Sequence, residues 1–566
     1  MRKRLFLNMA ISGWLSLCFA GIPGEAKALE VLYSTRTIRY QALPPQGFNS
    51  LLPQTTIPLF AAKNETVAFQ LVIKGDEKPS QALHLIHAPF SGPGALASKN
   101  MTSFSLRQCQ EDHAPDCLIP LADTRTLDFR RPNATQVLWI DIFIPKKTPP
   151  GIYKGAVHLM HKTKIMRRIP LTLQVHAFSL PDRPSLKIDL NNYGLSFLKK
   201  LGYPIGTDAA YAYERRLYRF VRKHRMIFNP LPYKSQRGRP HATMAPELVG
   251  KGEAIRVKDW RAYDQRYGPL FSGALFDNKI PLEHQYLPFN PEWPSAFSNY
   301  FQDREKYEIE WRAIAAEFRQ HFREKGWDQT VFQIFMNQKP RKNNRIPWNL
   351  DEPKGKKDYR ALRYYADLTH RAFDNDMRYP FRIDISHFYC EKHRGHPDKD
   401  FEANHGAKIL SPVDVWVISK HSMDDPLPQK KAQALKKQGK TVFEYMAGPR
   451  MPLIQEPLMK AVQYGWHAWL RDIDGLVFWS TIKNKTQASD GRDFLIYPQA
   501  GEMNPALVAS IRLKAIRRGA QDYEYFQLAS KKGNLDALIK QYLSDEGTDD
   551  IALRKQMVKM IMTQQQ

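Results

Sequence analysis

Cysteine is scarce in this chain, with four residues in 566, at positions 18, 109, 117 and 390. Disulfides therefore cannot build the fold. At most, Cys109 and Cys117 bridge and staple the short polar loop QEDHAPD between them, as an exported compartment permits. Acidic residues are also short, 57 against 84 Lys and Arg, giving a formal charge of +27. That surplus bears on solubility and the sign of partners, not on the fold. Beyond residue 28 no run reaches the roughly 18 apolar residues of a membrane-spanning helix. There is no Walker A loop, no GxGxxG, no HExxH and no GxSxG, so nucleotide, hydride-transfer, zinc-protease and α/β-hydrolase chemistries lose their usual support. No internal repeat points to a solenoid. What remains, 43% hydrophobic and 25% charged, is the mix of a packed globular protein and excludes disorder, collagen or a multi-pass membrane protein.

The first 28 residues read as a signal peptide. Arg2, Lys3 and Arg4 form a positive start, Leu5 to Ala20 an apolar stretch, and Ala26-Lys27-Ala28 an A-x-A cleavage site. Leu17 is too bulky for Cys18 to be a lipidation site. We expect an exported mature protein, periplasmic or extracellular, with a formal charge of +24 and no integral membrane segment.

Residues 29–180 read as an antiparallel β-sandwich. Val67, Phe69, Leu71 and Ile73 alternate with polar or smaller residues, as do Leu138, Ile140, Ile142 and Ile144. The two prolines in FSLPDRPSLK (178–187) mark a linker. From 185 to 530 helices and strands alternate. Tyr213, Leu217, Phe220 and His224 share a helical face, as do Tyr307, Trp311, Ile314, Phe318 and Phe322. Short strands are expected at 331–336, 346–350, 381–386, 413–419, 441–446 and 475–480, mostly separated by helices near 358–373, 428–437 and 456–471. Repeated βα units predict an irregular (β/α)8 TIM-type barrel, with no room for a helix between 336 and 346. Residues 531–566 read as a C-terminal helical tail.

The strongest chemical signal is WNLDEP, 348–353. An acid pair, Asp351-Glu352, at the end of a barrel strand is placed for work on a glycosidic bond. One carboxyl would donate a proton to the leaving oxygen, and the other, kept ionised, would raise the first one's pKa and stabilise positive charge. The alternative is an acid pair that complements the dipole of the following helix.

WNLDEP with DYRALRYYADLTHRAF, and later FLIYPQAG with SIRLKAIRRGAQDYEYFQLA, resembles the catalytic region of glycoside hydrolase family 123 and its DUF4091 relatives. WIDIFIPKKTPPGIYKGAVHL resembles the β-sandwich that precedes that barrel. The resemblance spans nearly all of the mature chain. It implies exo-acting, retaining β-N-acetylgalactosaminidase chemistry assisted by the substrate's own 2-acetamido group, with no cofactor. Glu352 matches the general acid/base, and Asp351 the carboxylate that orients the acetamido nitrogen. FMNQK (Asn337, Lys339) and FRIDIS (Asp384) look more like the DUF4091 branch.

Position alone adds substrate-binding candidates. Asn337, Lys339 and Asp384 fall at expected strand ends, Tyr445, Trp466 and Trp479 at or just after later ones, and Asp490 in a polar loop able to reach over the mouth. Arg512, Asp522 and Tyr523 read as a structural helix-face network. His387, Cys390, His393 and His396 recur at every third position, but without a Cys-x2-Cys pair we read a basic solvated loop and no metal site. Basic runs are dispersed, which argues against nucleic acid and leaves a glycan or polysaccharide, anionic if the charge is meaningful, as the expected partner. Two rivals remain. One is a non-catalytic glycan-binding or exopolysaccharide-assembly protein, with an acid tied to Arg341 or Arg345. The other is a glycosidase for a different sugar, with Asp384 as a base.

Overall fold

The computed structural model describes residues 29–563 except 38–50, 54, 76–81, 111–112, 122–125, 195, 233–239, 241, 341–345, 484–488, 499–505, 531–534 and 545–548. The signal-peptide expectation, Arg341 and Arg345 lie outside those residues.

Period-two alternation in the N-terminal region produces two facing sheets. Thr135–Ile144 pairs antiparallel with Glu65–Lys74 so that Leu138, Ile140 and Ile142 stand opposite Leu71, Phe69 and Val67. These side chains, all 4% exposed or less, share one core with Val157, Leu159, Ile169, Leu171 and Leu173 of the second sheet. That sheet is built on Gly151–His161 and Lys164–Ser179. Cys109 and Cys117 are disulfide-bonded at a Cα–Cα distance of 5.9 Å.

Eight parallel strands then form the barrel: Lys187–Tyr193, Ile227–Leu231, His284–Tyr286, Val331–Phe335, Phe381–Ile385, Val415–Ser419, Thr441–Ala447 and Gly475–Trp479. The eighth pairs with the first, and the ladder runs unbroken from the third strand round to the second. Between the second and third strands no ladder forms among the described residues. Pro230 of the second strand has no N–H to give there, and Gln285 of the third reaches its carbonyl through a side chain at 3.5 Å.

Two expectations are corrected. IPWNL, 346–350, is not a strand. The N–H groups of Leu350 and Asp351 both donate to the Gln338 carbonyl, at 2.8 and 3.2 Å, so the chain folds back on its own exit from the fourth barrel strand. The described residues on either side, 336–340 and 346–355, form no helix or strand before the helix Lys356–Ala372. The first three barrel strands escaped detection because they carry Asp, Asn, Pro or His among their apolar residues.

The second correction concerns the boundary at 530. Ile496–Pro498 and Leu507–Ser510 leave the barrel and extend the first sheet of the sandwich, with Ala509 opposite Leu118. The helix Ile511–Ala529 that follows is wedged between the two parts and buried on nearly every side. Its Lys514 and Arg517 both contact Asp141 at 2.6 Å. Burial would push the Asp141 carboxyl up, but the two cations hold it well below its usual range. Nor is the tail peripheral. Arg554, in the helix Asp550–Met562, is buried against both Glu65 and Asp522.

Candidate active site

The C-terminal strand ends converge on a cavity of about 190 Å³. The fourth strand and its loop supply Asn337, Lys339, Asp351 and Glu352, the fifth Asp384, the seventh Tyr445 and the eighth Trp479. Seven of the nine expected site residues therefore meet in one place.

The loop's own polar groups aim the acids. Asn349 accepts from the Glu352 N–H at 3.3 Å and donates back to its carbonyl. Asp358 accepts from the N–H groups of Asn349 and Lys354, at 3.1 and 3.0 Å. Asp358 is the acid in the first turn of the helix, so Asp351 and Glu352 are not what complements its dipole, an effect confined to the first turn. Lys339 Nζ lies 3.1 Å from Asp351 and 3.1 Å from Glu352. The Asp351 side chain is 17% exposed and that of Glu352 51%. Burial pushes the Asp351 carboxyl up to about 7. The nearby charges of Asp384 and Glu352 add to this, and Lys339 opposes it. Burial works against the Lys339 charge, but the two carboxylates outweigh it and hold the ammonium above its ordinary range.

Asp384 receives two hydrogen bonds from Arg382, at 2.9 and 3.2 Å. Its carboxyl is nonetheless raised, by burial first and then by Asp189 and Glu352. Arg382 also reaches Asp189 at 3.4 Å and Gln333 at 3.2 Å, and Asp189 is bonded to His284. Asp189, His284 and Arg382 come from the first, third and fifth strands, the alternate-strand layering of a barrel interior. Here that layer is charged where apolar side chains usually sit, and it supports the acid above it. Asn337 is 1% exposed, and neither end of its amide has a partner among the described residues. A buried amide left without partners in a pocket wall calls for a reason of its own. Burial pushes the Tyr445 phenol well up, helped by Asp384 and Asp351. Trp479 meets Tyr193 edge to face, with ring centroids 4.4 Å apart.

Two candidates fall elsewhere. Trp466 is fully buried in the helix Met459–Leu470, and its indole donates to Asp522 at 2.8 Å. It serves helix packing. Asp490 is bound by Arg492 at 2.6 Å, which holds its carboxyl below the usual range, and its carbonyl accepts from the Ile454 N–H. Neither lines the cavity. Arg512 is buried against Asp116 at 3.0 Å and Asp522 against Arg554, in keeping with a structural network. His387 and His393 stack edge to face at 4.3 Å, and Cys390 Sγ is 3.7 Å from His421 Nε2. Among the described residues no group of three His, Cys, Asp or Glu is poised for a metal. Asn191, Tyr193 and Ser419 also line the cavity. Sequence reading missed Asn191 and Tyr193 because it did not recognise the first barrel strand, whose one signal was LNNY running into Gly194.

No family model and no curated protein matches the chain in sequence, but solved structures resemble it. A family 123 glycoside hydrolase from Clostridium perfringens, studied for glycolipid glycan hydrolysis, aligns over 95% of this chain and 98% of its own, at 14% identity and a TM-score of 0.65. A xyloglucanase from Bacteroides ovatus (82% of this chain, 98% of its own, 9% identity) and an endo-β-1,4-mannanase from Thermotoga petrophila (61%, 78%, 10%) reach only 0.31 and 0.34, too low to carry an argument. The chain thus has, from sandwich to tail, the fold of a family 123 glycoside hydrolase.

Proposed function

We propose that the protein is a glycoside hydrolase that removes a terminal β-linked N-acetylhexosamine, of the GalNAc type, with retention and with the substrate's 2-acetamido group as nucleophile. The observation that carries this reading is the pair Asp351 and Glu352, adjacent in sequence, bridged by Lys339 and set at the mouth of a barrel with a glycosidase's fold. Two neighbouring carboxyls suit a substrate nucleophile. A protein nucleophile and a separate acid would flank the bond from opposite sides, about 5 Å or more apart.

Glu352, the more exposed of the two, donates its proton to the leaving oxygen and then deprotonates the incoming water. Asp351 accepts the acetamido N–H and faces the positive charge of the oxazolinium-like intermediate. A proton on Asp351 would block that role. The substrate's N–H and developing charge favour the ionised form and draw Asp351 down from its value in the empty site. Asp384 and Asn337 bind hydroxyls, while Tyr445 and Trp479 close round the ring.

The raised Asp351 carboxyl favours a second reading, in which Asp351 is the proton donor. Hydrolysis of 4-nitrophenyl and 2,4-dinitrophenyl β-GalNAc and β-GlcNAc by the wild type, Glu352→Gln and Asp351→Asn separates the two. An activated leaving group needs no acid, so only the variant lacking the acid retains activity on the dinitrophenyl glycoside. Glu352→Gln is expected to do so. No turnover of any of these glycosides by the folded wild type sinks the hexosaminidase reading.

A further inference from the structure

A second cleft lies at the far end of the barrel, where it meets the sandwich. Its volume is about 730 Å³, in the range of ligand-binding clefts. Its walls come from the outward face of the first sheet (Phe104, Phe143), the end of the helix Asp208–Lys223, and the loops before the first and third barrel strands. Those loops enter the strands at their N-terminal ends, so the barrel separates this cleft from Asp351 and Glu352.

The cleft is rich in basic residues, and not all of them are spoken for. Lys514 and Arg517 are held by Asp141, Arg222 by Glu283, and Arg225 by Glu524 at 3.4 Å. Lys99 and Lys223 form no ion pair among the described residues, and Arg219 gives its Nε to the Leu275 carbonyl at 3.0 Å instead of to an acid. Of the lining carboxylates, Asp182 is taken by Lys146 at 2.7 Å, which leaves Asp277. Three uncommitted cations thus face one carboxylate. Phe143 is 42% exposed on a sheet face turned away from the sandwich core, and the cleft is also lined by the partly buried rings of Phe220 and of Phe104, which lies under Lys514 Nζ at 4.2 Å. His224, in the same wall, gives Nδ1 to the Phe220 carbonyl at 2.8 Å, and its Nε2 has no partner among the described residues. Cations for carboxylates or sulfates and the exposed face of Phe143 for a sugar ring together define one ligand chemistry.

We propose that this cleft is a second glycan site that binds an anionic oligosaccharide and tethers a polymer while its terminal residue is processed at the other end of the barrel. The tethering role rests on the reaction proposed for the mouth, whereas binding at the cleft does not and is tested without turnover. Calorimetric titration of the mature protein at low salt uses hexagalacturonate as the carboxylate probe, a chondroitin sulfate hexasaccharide as the sulfated probe, and chitohexaose as the neutral control. At least one anionic probe is expected to bind, more weakly as salt rises, with chitohexaose at least tenfold weaker. Both Lys99→Glu/Lys223→Glu and Phe143→Ala are expected to weaken that binding at least tenfold, whereas Asp351→Asn/Glu352→Gln leaves it unchanged. All three substituted surface positions are exposed, and an unchanged Tm checks that the variants fold. Lys99→Gln/Lys223→Gln provides a milder pair, expected to weaken binding by a smaller factor. The proposal is overturned if neither anionic probe binds, if the lysine variants bind as tightly as the wild type, or if the acid-pair variant loses the binding, which would put the ligand at the mouth.

Discussion

Lys339 Nζ sits 3.1 Å from Asp351 Oδ2 and equally close to Glu352 Oε2, so one ammonium bridges both acids. Because Lys339 lowers the Asp351 pKa, Lys339→Met is expected to raise it beyond about 7. The acidic limb of kcat/KM, which on the proposed mechanism follows ionisation of Asp351 in the free enzyme, then moves up by about one pH unit. At pH 6 the variant is expected to lose about ninefold in kcat/KM. A pH–rate profile superimposable on that of the wild type counts against Lys339 as the tuning group.

Asp351 also makes stability depend on pH. The folded state holds its proton up to about 7, whereas an unperturbed Asp ionises near 3.8. Between those values the folded state binds more protons than the unfolded one. Stability therefore falls as pH rises through that window, and the loss is complete above it. Asp351→Asn removes the penalty. We expect it to stabilise the protein by ~2 kcal/mol at pH 8 and by little at pH 4, measured as Tm at the two pH values.

Arg382 is fully buried between Asp384 and Asp189. Arg382→Met leaves two buried carboxylates without their cation, a change that costs about 3–5 kcal/mol. A Tm lowered by less than 2 °C would show that Arg382 does not hold this layer together.

Trp466 and Trp479 are expected to separate cleanly. Trp466→Phe strips the Asp522 carboxylate of an indole donor, so stability falls by about 1–2 kcal/mol, seen as a lowered Tm, while KM is unchanged. Trp479→Ala, in the cavity wall, raises KM severalfold at nearly unchanged Tm. Thermal melts beside kinetics on an N-acetylhexosaminide check both.

The later half of the barrel was legible because its strands are short apolar runs divided by amphipathic helices, and the sandwich because Leu138, Ile140 and Ile142 alternate. The acid pair was legible as a motif, but its setting was not. IPWNL has a strand's composition, and only the Gln338 carbonyl, claimed by Leu350 and Asp351, turns it into a loop. Lys187–Tyr193 was hidden for the opposite reason. Its Asp189 and Asn191 look like surface residues until His284, Arg382 and Tyr286 arrive from other strands to satisfy them.

The sequence by itself determined the two architectures, their order and the acids that meet at the barrel mouth, because periodicity and turn chemistry are local. Tertiary structure decided the rest. It returned Ile496–Pro498 and Leu507–Ser510 to the sandwich, put Trp466 in a helix contact, and set Lys339 between Asp351 and Glu352. Pairings of that kind depend on which distant backbone arrives beside a residue, and the balance of burial against neighbouring charge that fixes each protonation state exists only once the chain is packed.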